Sequence, residues 1–350
     1  MPTPPRLTYP ATMPPRRKNE SRPSGELALI DLIRRRAAKS ESSSSVALGI
    51  GDDCAILRPR PGEEILVTTD FSLEGRHFRR DWHSPQSVGH RTLARGLSDL
   101  AAMGGRPVSA FLSLALPRSV ARDPVWLEGF LDGLLALAAT HRIALAGGDT
   151  SESPSEHVLA DIVLVGSAPR GRALRRSGAR PGDLLYCTGA LGGAATELAA
   201  LPHDGKGVHV AGPGHPHLFP EPRVAVGQAL LRRKLATACL DLSDGLSTDL
   251  AHLCDASGVR AEVDAAGLPI HPLAQALGSE VALHNALHGG EDYELLFTAP
   301  PGVRMPRAIA GVPITCIGSI LPPRRNTPRV ILRTDGKSIP LEPQGWEHLR

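Results

Sequence analysis

The sequence is poor in aromatic residues and lacks long apolar runs, and both shortages narrow the class of protein that it encodes. Aromatic side chains make up 3% of the 350 residues, so the cores must be built from Leu, Val, Ile and Ala. No apolar stretch reaches the roughly 20 residues that a membrane-spanning helix needs. No signal-peptide core is visible either. The sequence therefore predicts a protein that does not enter a membrane.

Cysteine and net charge are also scarce. The five cysteines are scattered, odd in number and without C-x-x-C spacing. This usage argues against a zinc ribbon or a disulfide framework and favours the reducing cytosol, so a cytoplasmic location is predicted. The formal net charge of +3 is too small to indicate a nucleic-acid partner.

The common nucleotide-binding and nucleophile motifs are missing. Gly336-Lys337-Ser338 looks like the end of a P-loop, but Ile331 stands where the leading glycine should be. No G-x-G-x-x-G follows a strand, and there is no G-x-S-x-G elbow. His215-Pro216-His217 is a weak metal candidate, because its Gly/Pro loop offers no acidic or cysteine partner. Any bound phosphates must therefore be held mainly through metals and loop amides.

Length and pattern predict two lobes. A chain of 350 residues is too long for one ordinary core. Residues 1–24 are rich in Pro, Arg and Ser without periodicity, which predicts a disordered tail. Residues 25–167 and 168–350 are predicted to form an N-terminal and a C-terminal domain, the second with a Gly/Pro/His-rich loop over roughly 203–220. Strands and helices alternate in both, so the predicted class is α/β (α+β).

The periodicity of apolar residues predicts the individual elements. Strands are predicted at 65–70, 143–146, 160–166, 184–189, 238–241, 259–264, 293–299, 314–320 and 329–333. Helices are predicted at 26–38 and 87–103, after the N-cap Asp123, after the Gly-rich turn that follows 184–189, and from Gly245 to a stop at Gly258. The first strand is expected to end on Asp70. The second is expected to end where Gly148 and Asp149 begin a turn.

Five acidic motifs recur beside Gly, Ser or Thr, where strands and helices are predicted to end. They are Gly49-Ile50-Gly51-Asp52-Asp53, Thr68-Thr69-Asp70, Ser98-Asp99, Gly148-Asp149-Thr150 and Asp241-Leu242-Ser243-Asp244-Gly245. Small neighbours let a phosphate approach the backbone, while carboxylates hold hard cations. Mg²⁺ takes one or two carboxylates and completes its shell with water and substrate phosphates. A single Asp-Gly is more often a turn, but five such motifs favour a site for several Mg²⁺ ions around a triphosphate.

Taken in order along the chain, the motifs resemble the thiamine-monophosphate kinase family, in the superfamily of aminoimidazole ribonucleotide synthetase and selenophosphate synthetase. They run from Gly25 to His348 and include GELALI, GIGDDCAIL, TTD followed by EGRHF, LSDLAAMG, GGDT, GRALRRSGARPGD, PEPR, DLSDGLSTDL and GGEDYELLF. The resemblance implies a two-lobed aminoimidazole ribonucleotide synthetase-like fold. Its N-terminal lobe would bind ATP and magnesium and carry a dimerising sheet, its C-terminal lobe would be α/β, and the active site would lie between the lobes.

The resemblance also implies roles for single residues. The implied magnesium ligands are Asp53, Thr68, Thr69, Asp70, Asp99, Asp149, Asp241 and Asp244, with Asp52 as a further oxygen donor. The implied ATP contacts are Gly148, Asp149, Arg176 and Ser243. The implied contacts to thiamine monophosphate are His77, Glu291 and Trp346. By sequence alone, Arg176 could be a solvated arginine, His77 a core histidine, Glu291 the cap of a turn and Trp346 the plug of a core edge.

The implied reaction is ATP-dependent phosphorylation of thiamine monophosphate to thiamine diphosphate, in a homodimer, by direct in-line transfer assisted by several Mg²⁺ ions. The acceptor is a phosphate monoester with a second pKa of about 6, so it is already a dianion near pH 7 and needs no strong general base. No dedicated catalytic side chain is therefore expected. Without metal, clustered carboxylates repel one another, and some are expected to have raised pKa values.

Two alternatives and three departures from the family pattern stay open. A sibling enzyme of the superfamily is one alternative, and it would be expected to have a reactive cysteine near one terminus. Cys54 is poorly placed for this role because it follows two aspartates, and the last cysteine is Cys316. A non-catalytic nucleotide-binding protein on the same scaffold is the other alternative. The departures are Phe71, Gly96 and Glu152, which are expected to touch fine substrate contacts rather than the metal ligands.

Overall fold

A computed structural model describes residues 26–38, 45–202 and 214–346. Outside the described residues lie the predicted tail over 1–24, residues 203–213 of the predicted loop, and residues 347–350, the first two of which belong to the resemblance. No described helix is both long enough and apolar enough to cross a membrane.

The N-terminal half is built around a small mixed sheet. Its elements are α1 Glu26–Ala37, β1 Val46–Leu48, β2 Ile56–Leu57, β3 Glu63–Leu73, α2 Pro85–Ala102, β4 Arg106–Leu116, α3 Arg118–Ala121, α4 Pro124–Thr140, β5 Ala144–Glu152 and β6 Leu159–Pro169. Four strands lie in the order β3-β6-β4-β5, with β4 and β5 parallel and the other pairs antiparallel. Strands β1 and β2 form a separate antiparallel pair.

Helices α2 and α4 pack closely against each other. Helix α4 begins at the predicted cap, since Asp123 accepts the N–H groups of Val125 and Trp126, whereas α2 begins at Pro85, two residues before the predicted start, with Ser84 as its cap. A Cβ on Gly133 would lie 1.8 Å from the Gln86 carbonyl oxygen, so the helix backbones approach as closely as only glycine allows. This contact fixes α2, which carries several site residues.

The C-terminal half contains a second, larger sheet. Its elements are β7 Leu184–Thr188, α5 Gly193–Ala200, α6 Val224–Arg232, β8 Ala238–Asp241, α7 Leu246–Ser257, β9 Arg260–Asp264, a 3₁₀ turn Ala265–Gly267, α8 Pro272–Gln275, α9 Ser279–His288, β10 Leu295–Ala299, β11 Ala308–Ile309, β12 Val312–Leu321, β13 Val330–Thr334 and β14 Lys337–Pro340. The order is β14-β13-β9-β12-β7-β10-β8, with β11 beside β12. The mixed sheets with helices confirm the predicted α/β (α+β) class.

Strands β7, β8 and β10 of the C-terminal sheet are buried on both faces, and one of these faces shares a core with the N-terminal half. Tyr186 and Phe297 stack with ring centroids 5.4 Å apart and belong to the same apolar cluster as Leu97 of α2. Leu185 and Leu296, which alternate with them along the strands, belong to the other cluster, with α7 and α9. The two lobes are therefore joined by a continuous core.

Two predicted strand ends are wrong. Strand β3 continues through Asp70 to Leu73, and β5 continues through Asp149 to Glu152. Both strands extend because their neighbours pair with them along the full length, with Asp70 opposite Ile162 and Asp149 opposite Ser113. Tertiary pairing thus overrides the turn preference of Gly and Asp.

Candidate active site

A cleft of about 560 Å³ lies between the two lobes. It brings together eight residues with predicted site roles, namely Asp70, His77, Asp99, Asp241, Ser243, Asp244, Glu291 and Trp346. Residues from β3, α2, β8 and two C-terminal loops therefore converge on one space.

The carboxylates of the cleft meet where α2 crosses the ends of strands from both lobes. Alternation along β3 puts Thr68 and Asp70 on the face toward α2. The Thr68 hydroxyl donates to the Asp99 carboxylate, and the Ser98 hydroxyl donates to Asp241 Oδ2 at 2.7 Å. Helix α2 therefore links a strand of the N-terminal sheet to a strand of the C-terminal sheet through two consecutive residues.

Burial and mutual repulsion change the ionisation of these carboxylates. Burial, together with the negative charge of Asp99, raises the pKa of Asp70 to about 7, although Arg95 opposes the change. Burial and Asp99 likewise raise the pKa of Asp241 to about 6, against the hydrogen bond from Ser98. The expectation of raised pKa values in the metal-free site is confirmed for these two groups. A bound cation would relieve the repulsion that raises them.

Two loops of the C-terminal lobe run side by side and form the floor of the cleft. The Tyr293 N–H donates to the Leu242 carbonyl at 2.9 Å, and the Glu291 N–H donates to the Ser243 carbonyl at 2.9 Å. Glu291 and Tyr293 both have positive φ angles, 66° and 50°, which non-glycine residues adopt only at a cost in free energy. The paired loops compensate that cost, so Glu291 is held in a conformation that the local sequence disfavours.

Trp346 is attached to the same loops by its backbone. Its N–H donates to the Asp244 carbonyl at 3.1 Å, and a Cβ on Gly345 would lie 2.0 Å from that oxygen. The indole is 49% exposed and lines the cleft, which also contains Trp82. Trp346 thus offers an aromatic face to the cleft instead of filling a core.

Glu291 lies among basic groups. Its carboxylate accepts from Arg91 at 2.7 Å and lies 3.1 Å from His217 Nδ1 and 3.6 Å from Arg95. Burial alone would raise the pKa of Glu291, but Arg91, His217 and Arg95 together hold it well below its usual range. The pKa of Glu291 is therefore shifted in the opposite direction to the pKa values of Asp70 and Asp241.

The His215-Pro216-His217 segment has an acidic partner that the sequence did not reveal. Glu197 of α5 accepts from the His217 N–H at 2.7 Å and lies 2.6 Å from His215 Nδ1. The ring nitrogens of His217 and His83 are 2.9 Å apart, and burial lowers the pKa of His83 to about 3. The assumption that this loop lacks acidic partners is wrong. His217 supports Glu291 from behind.

A second cavity, of about 680 Å³, holds the remaining acidic motifs. It lies beside β5 and α1 and is lined by Asp52, Asp53, Gly148 and Asp149. The Asp53 and Thr150 N–H groups each donate to the preceding aspartate at 2.9 Å, and these aspartates are exposed. Gly148 has a φ of 145°, and a Cβ there would lie 1.8 Å from the Leu112 carbonyl oxygen, so only glycine fits.

Thr69 and Arg176 line neither cavity. Thr69 points to the outer face of the N-terminal sheet, where its hydroxyl donates to Asp161 at 2.6 Å. Arg176 is exposed, and its charge is one of the influences that lower the pKa of Asp241. The suggested roles of all these site residues stay predictions.

The three departures from the family pattern lie outside the cleft lining. Phe71 is exposed on the outer face of β3. A Cβ on Gly96 would lie 2.9 Å from the Leu164 side chain, so Gly96 serves the packing of α2 on the sheet. Glu152 pairs with Arg118 at 2.8 Å on the surface.

Sequence reasoning missed the arginines of the cleft region, including Arg91 and Arg95 of α2. Both precede Asp99 on α2, at intervals of four and eight residues, so they lie on the same side of the helix. That spacing was the signal that could have found them.

A buried ion pair explains why two of the family motifs occur together. Arg223 of PEPR donates to Glu294 of GGEDYELLF at 2.7 and 2.5 Å, and the Thr188 hydroxyl donates to the same carboxylate at 2.6 Å. Glu294 is almost fully buried. The pair fastens the loop that carries Glu291 to the start of α6.

Two family profiles match successive parts of the chain. AIR synthase related protein, N-terminal domain, matches residues 51–168, and AIR synthase related protein, C-terminal domain, matches residues 180–306. The fold and the interlobe cleft thus define a protein of the AIR synthase related class.

Individual proteins narrow this class. Thiamine-monophosphate kinase of Escherichia coli strain K12 is 40% identical over 332 residues, covering 93% of this chain and 98% of the relative. A crystal structure of thiamine-monophosphate kinase from Stenotrophomonas maltophilia K279a has 38% identity and a TM-score of 0.74, over 90% of this chain and 98% of that one. AaThiL, solved in complex with AMPPCP and TMP, has 32% identity and a TM-score of 0.70, over 93% and 97%. The chain belongs to the thiamine-monophosphate kinase family and is an enzyme of the kinase class.

Proposed function

We propose that this protein transfers the γ-phosphoryl group of ATP to thiamine monophosphate and so makes thiamine diphosphate. The observation that carries the proposal is the convergence of Asp70, Asp99 and Asp241 opposite the ionised Glu291 in one interlobe cleft. Membership of the family and the relative that was solved with AMPPCP and TMP support this choice of substrates.

The residues of the cleft fit magnesium. The donors are carboxylate and hydroxyl oxygens, which Mg²⁺ prefers, and the raised pKa values of Asp70 and Asp241 support a site that favours added positive charge. Asp70, Asp99, Asp241 and Asp244 would hold ions in the cleft, and Asp53 and Asp149 would hold ions in the second cavity. Several bound Mg²⁺ ions would supply neutralisation of the charge shared by the two phosphate groups.

The protein's own part in the reaction is to bind and align. Glu291 and His77 would contact thiamine monophosphate, and the exposed face of Trp346 would lie against its cationic ring system. Gly148, Asp149, Arg176 and Ser243 would contact ATP. Since the acceptor phosphate is already a dianion near pH 7, direct in-line transfer needs no proton to be removed by a side chain.

We also propose that the protein is a homodimer that joins through the N-terminal sheet. The outer face of β3 exposes Ile65, Val67 and Phe71, an apolar row with no helix of the described chain packed over it. Paired residues of neighbouring strands point to the same face of a sheet, and Phe71, Asp161, Ser113 and Asp149 form one such row. Asp149 therefore points to the same outer face as Phe71, and dimerisation would bring the second cavity to the interface.

The domain limits and the cytoplasmic location proposed from the sequence rest on the sequence alone.

The reaction is tested by incubating purified protein with ATP, Mg²⁺ and thiamine monophosphate and separating the thiamine esters by chromatography. Thiamine diphosphate is expected only when all three are present. Omitting Mg²⁺ or replacing ATP with AMPPCP should each remove the product. Bound ATP without any product would favour a sibling substrate or a non-catalytic role.

The dimer is tested with Val67→Asp, which places a charge in the apolar row. Light scattering after gel filtration should give twice the chain mass for the unaltered protein and a monomer for the variant. Val125→Asp is the matched control, because Val125 is 75% exposed on α4, away from that row, and Val67 is 65% exposed. A monomeric unaltered protein, or a dimer that survives Val67→Asp, would contradict the proposed interface.

A further inference from the structure

Arg95 lines the cleft and lies between two of its carboxylates, Asp70 and Glu291. Its guanidinium lies 3.7 Å from Asp70 Oδ1 on the carboxylate side and 3.6 Å from Glu291 Oε1 on the other side. Its third neighbour is the Tyr293 hydroxyl, at 3.3 Å. Arg95 is therefore the cation that stands between the candidate metal ligands and the candidate acceptor contacts.

Arg91, one turn earlier on α2, is a structural arginine with which the contacts of Arg95 can be compared. Its side chain is 4% exposed and donates to Glu291 at 2.7 Å, to the His77 carbonyl at 3.1 Å and to the His217 carbonyl. Short bonds of this kind use the donors of Arg91 within the protein. Arg91 thereby fixes Glu291 and has little left to offer to a ligand.

The contacts of Arg95 are longer and fewer. Its side chain is 15% exposed, and none of its contacts to Asp70, Glu291 or Tyr293 is shorter than 3.3 Å. Among the described residues, its Nε–H has no hydrogen-bond acceptor. An arginine has five N–H donors in a planar fork that matches phosphate geometry, and most of those on Arg95 are not used by the protein.

We propose that Arg95 binds the phosphate group of the acceptor substrate and holds it between Glu291 and the metal-binding carboxylates. This inference rests on the proposed function, since it takes thiamine monophosphate as the acceptor. A bidentate contact from Arg95 would replace its loose contacts to Asp70 and Glu291. It would place a fixed positive charge on the acceptor and leave the Asp70 oxygens to a cation.

Arg95 keeps its charge in this place. Burial disfavours the charged form, but Tyr293, Asp70, Glu291 and Asp99 raise the pKa of the guanidinium above its usual value. An acceptor dianion would therefore meet a cation at every pH at which the protein is folded. A lysine at this position would keep the charge and lose the planar fork.

The test compares two ligands that differ only in the phosphate, thiamine monophosphate and thiamine. Their dissociation constants are measured by calorimetry with Mg²⁺ and AMPPCP, for the unaltered protein, Arg95→Met and Arg95→Lys. Arg95→Met should lose about 10- to 100-fold in affinity for thiamine monophosphate and keep its affinity for thiamine. Arg95→Lys should recover part of the loss. Arg80→Met is the control, because Arg80 pairs with Glu74 outside the cleft lining and should change neither constant.

Each contrary result has its own meaning. Equal losses for both ligands in Arg95→Met would show that Arg95 only supports the cleft, and an undiminished preference for the phosphorylated ligand would show that another group binds the phosphate. Either result overturns the role of Arg95 while the proposed reaction stands. Unaltered protein that neither binds nor phosphorylates thiamine monophosphate overturns the proposed function, and with it this role. If Arg95→Met does not fold, Arg95→Lys decides, since full affinity there would refute the need for the planar fork.

Discussion

The acidic residues of the interlobe cleft and those of the second cavity occur in similar sequence motifs but differ in their burial. In the interlobe cleft, Asp70 is half-buried and Asp241 is buried, both interact with the charge of Asp99, and their pKa values are raised. In the second cavity, Asp52 and Asp149 are exposed and accept hydrogen bonds from the next residue in the chain. Without a cation, repulsion between the carboxylates therefore destabilises the ionised form of the cleft. The sequence motif of Asp beside Gly or Thr does not reveal this repulsion.

The largest expected effect tests whether both groups serve one reaction. Asp70→Asn and Asp149→Asn are each expected to reduce kcat/KM by about 1,000-fold or more, because each removes one of the proposed oxygen ligands of the metal ions that would align the phosphates. The measurement is steady-state turnover, with circular dichroism to confirm that the fold is intact.

The control for this prediction is Asp255→Asn, because Asp255 is exposed on α7, pairs with Arg329 and lies outside both cavities. Near-normal activity of Asp149→Asn, beside an inactive Asp70→Asn, would break the comparison by separating the second cavity from the active site.

The next effect concerns stability without metal. In the folded protein the Asp70 carboxyl keeps its proton up to about pH 7. In an unfolded chain it does so only up to about pH 4. The folded state thus binds more protons between these values, and its stability falls as pH rises across that window. Asp70→Asn cannot ionise, so at pH 8 with chelator it should be about 1–3 kcal/mol more stable than the unaltered protein in urea unfolding.

The same experiment on Asp149→Asn separates the two groups. Asp149 is exposed, and its replacement should change the free energy of unfolding by less than about 0.5 kcal/mol. An Asp70→Asn variant less stable than the unaltered protein at pH 8 would show that Asp70 contributes favourable contacts that outweigh its repulsion.

The smallest expected effect is a pH dependence of magnesium affinity. Mg²⁺ must displace the protons that Asp70 and Asp241 hold near pH 6 and below, so binding should tighten about tenfold from pH 6 to pH 8. Calorimetric titration in buffers of different ionisation enthalpy would also detect the released protons. Asp70→Asn should lose most of this dependence and Asp149→Asn should keep it. An affinity that does not change with pH would contradict the raised pKa values.

Local signals sufficed for many elements and failed where distant parts of the chain decide. The cap at Asp123 and the helix stop at Gly258, with a φ of 65°, were readable because their causes lie within a few residues. The ends of β3 and β5 were not, because pairing with β6 and β4 extends them past Asp70 and Asp149. Strand β4 was missed altogether, although it is central to the N-terminal sheet.

The site followed the same division. The motifs predicted that Asp70, Asp99 and Asp241 belong to one site, and the resemblance supplied candidate roles. Neither indicated that Glu291 would be ionised among basic side chains while Asp70 holds a proton, because that contrast depends on which charges the fold brings within a few ångströms. Arg95 and Glu197 escaped notice for the same reason.

Helix α2 sets the spacing between the residues on the two sides of the cleft. Arg91 contacts Glu291 near one end of this helix segment, and Asp99 contacts Thr68 near the other end. Arg95 lies between Arg91 and Asp99, which are separated by about 12 Å of helix rise. The number of residues between Arg91 and Asp99 therefore sets the distance between the proposed acceptor contacts and the proposed metal ligands. One residue added between Arg95 and Asp99 would turn the two ends by about 100° relative to each other and spoil the alignment while every side chain remained present.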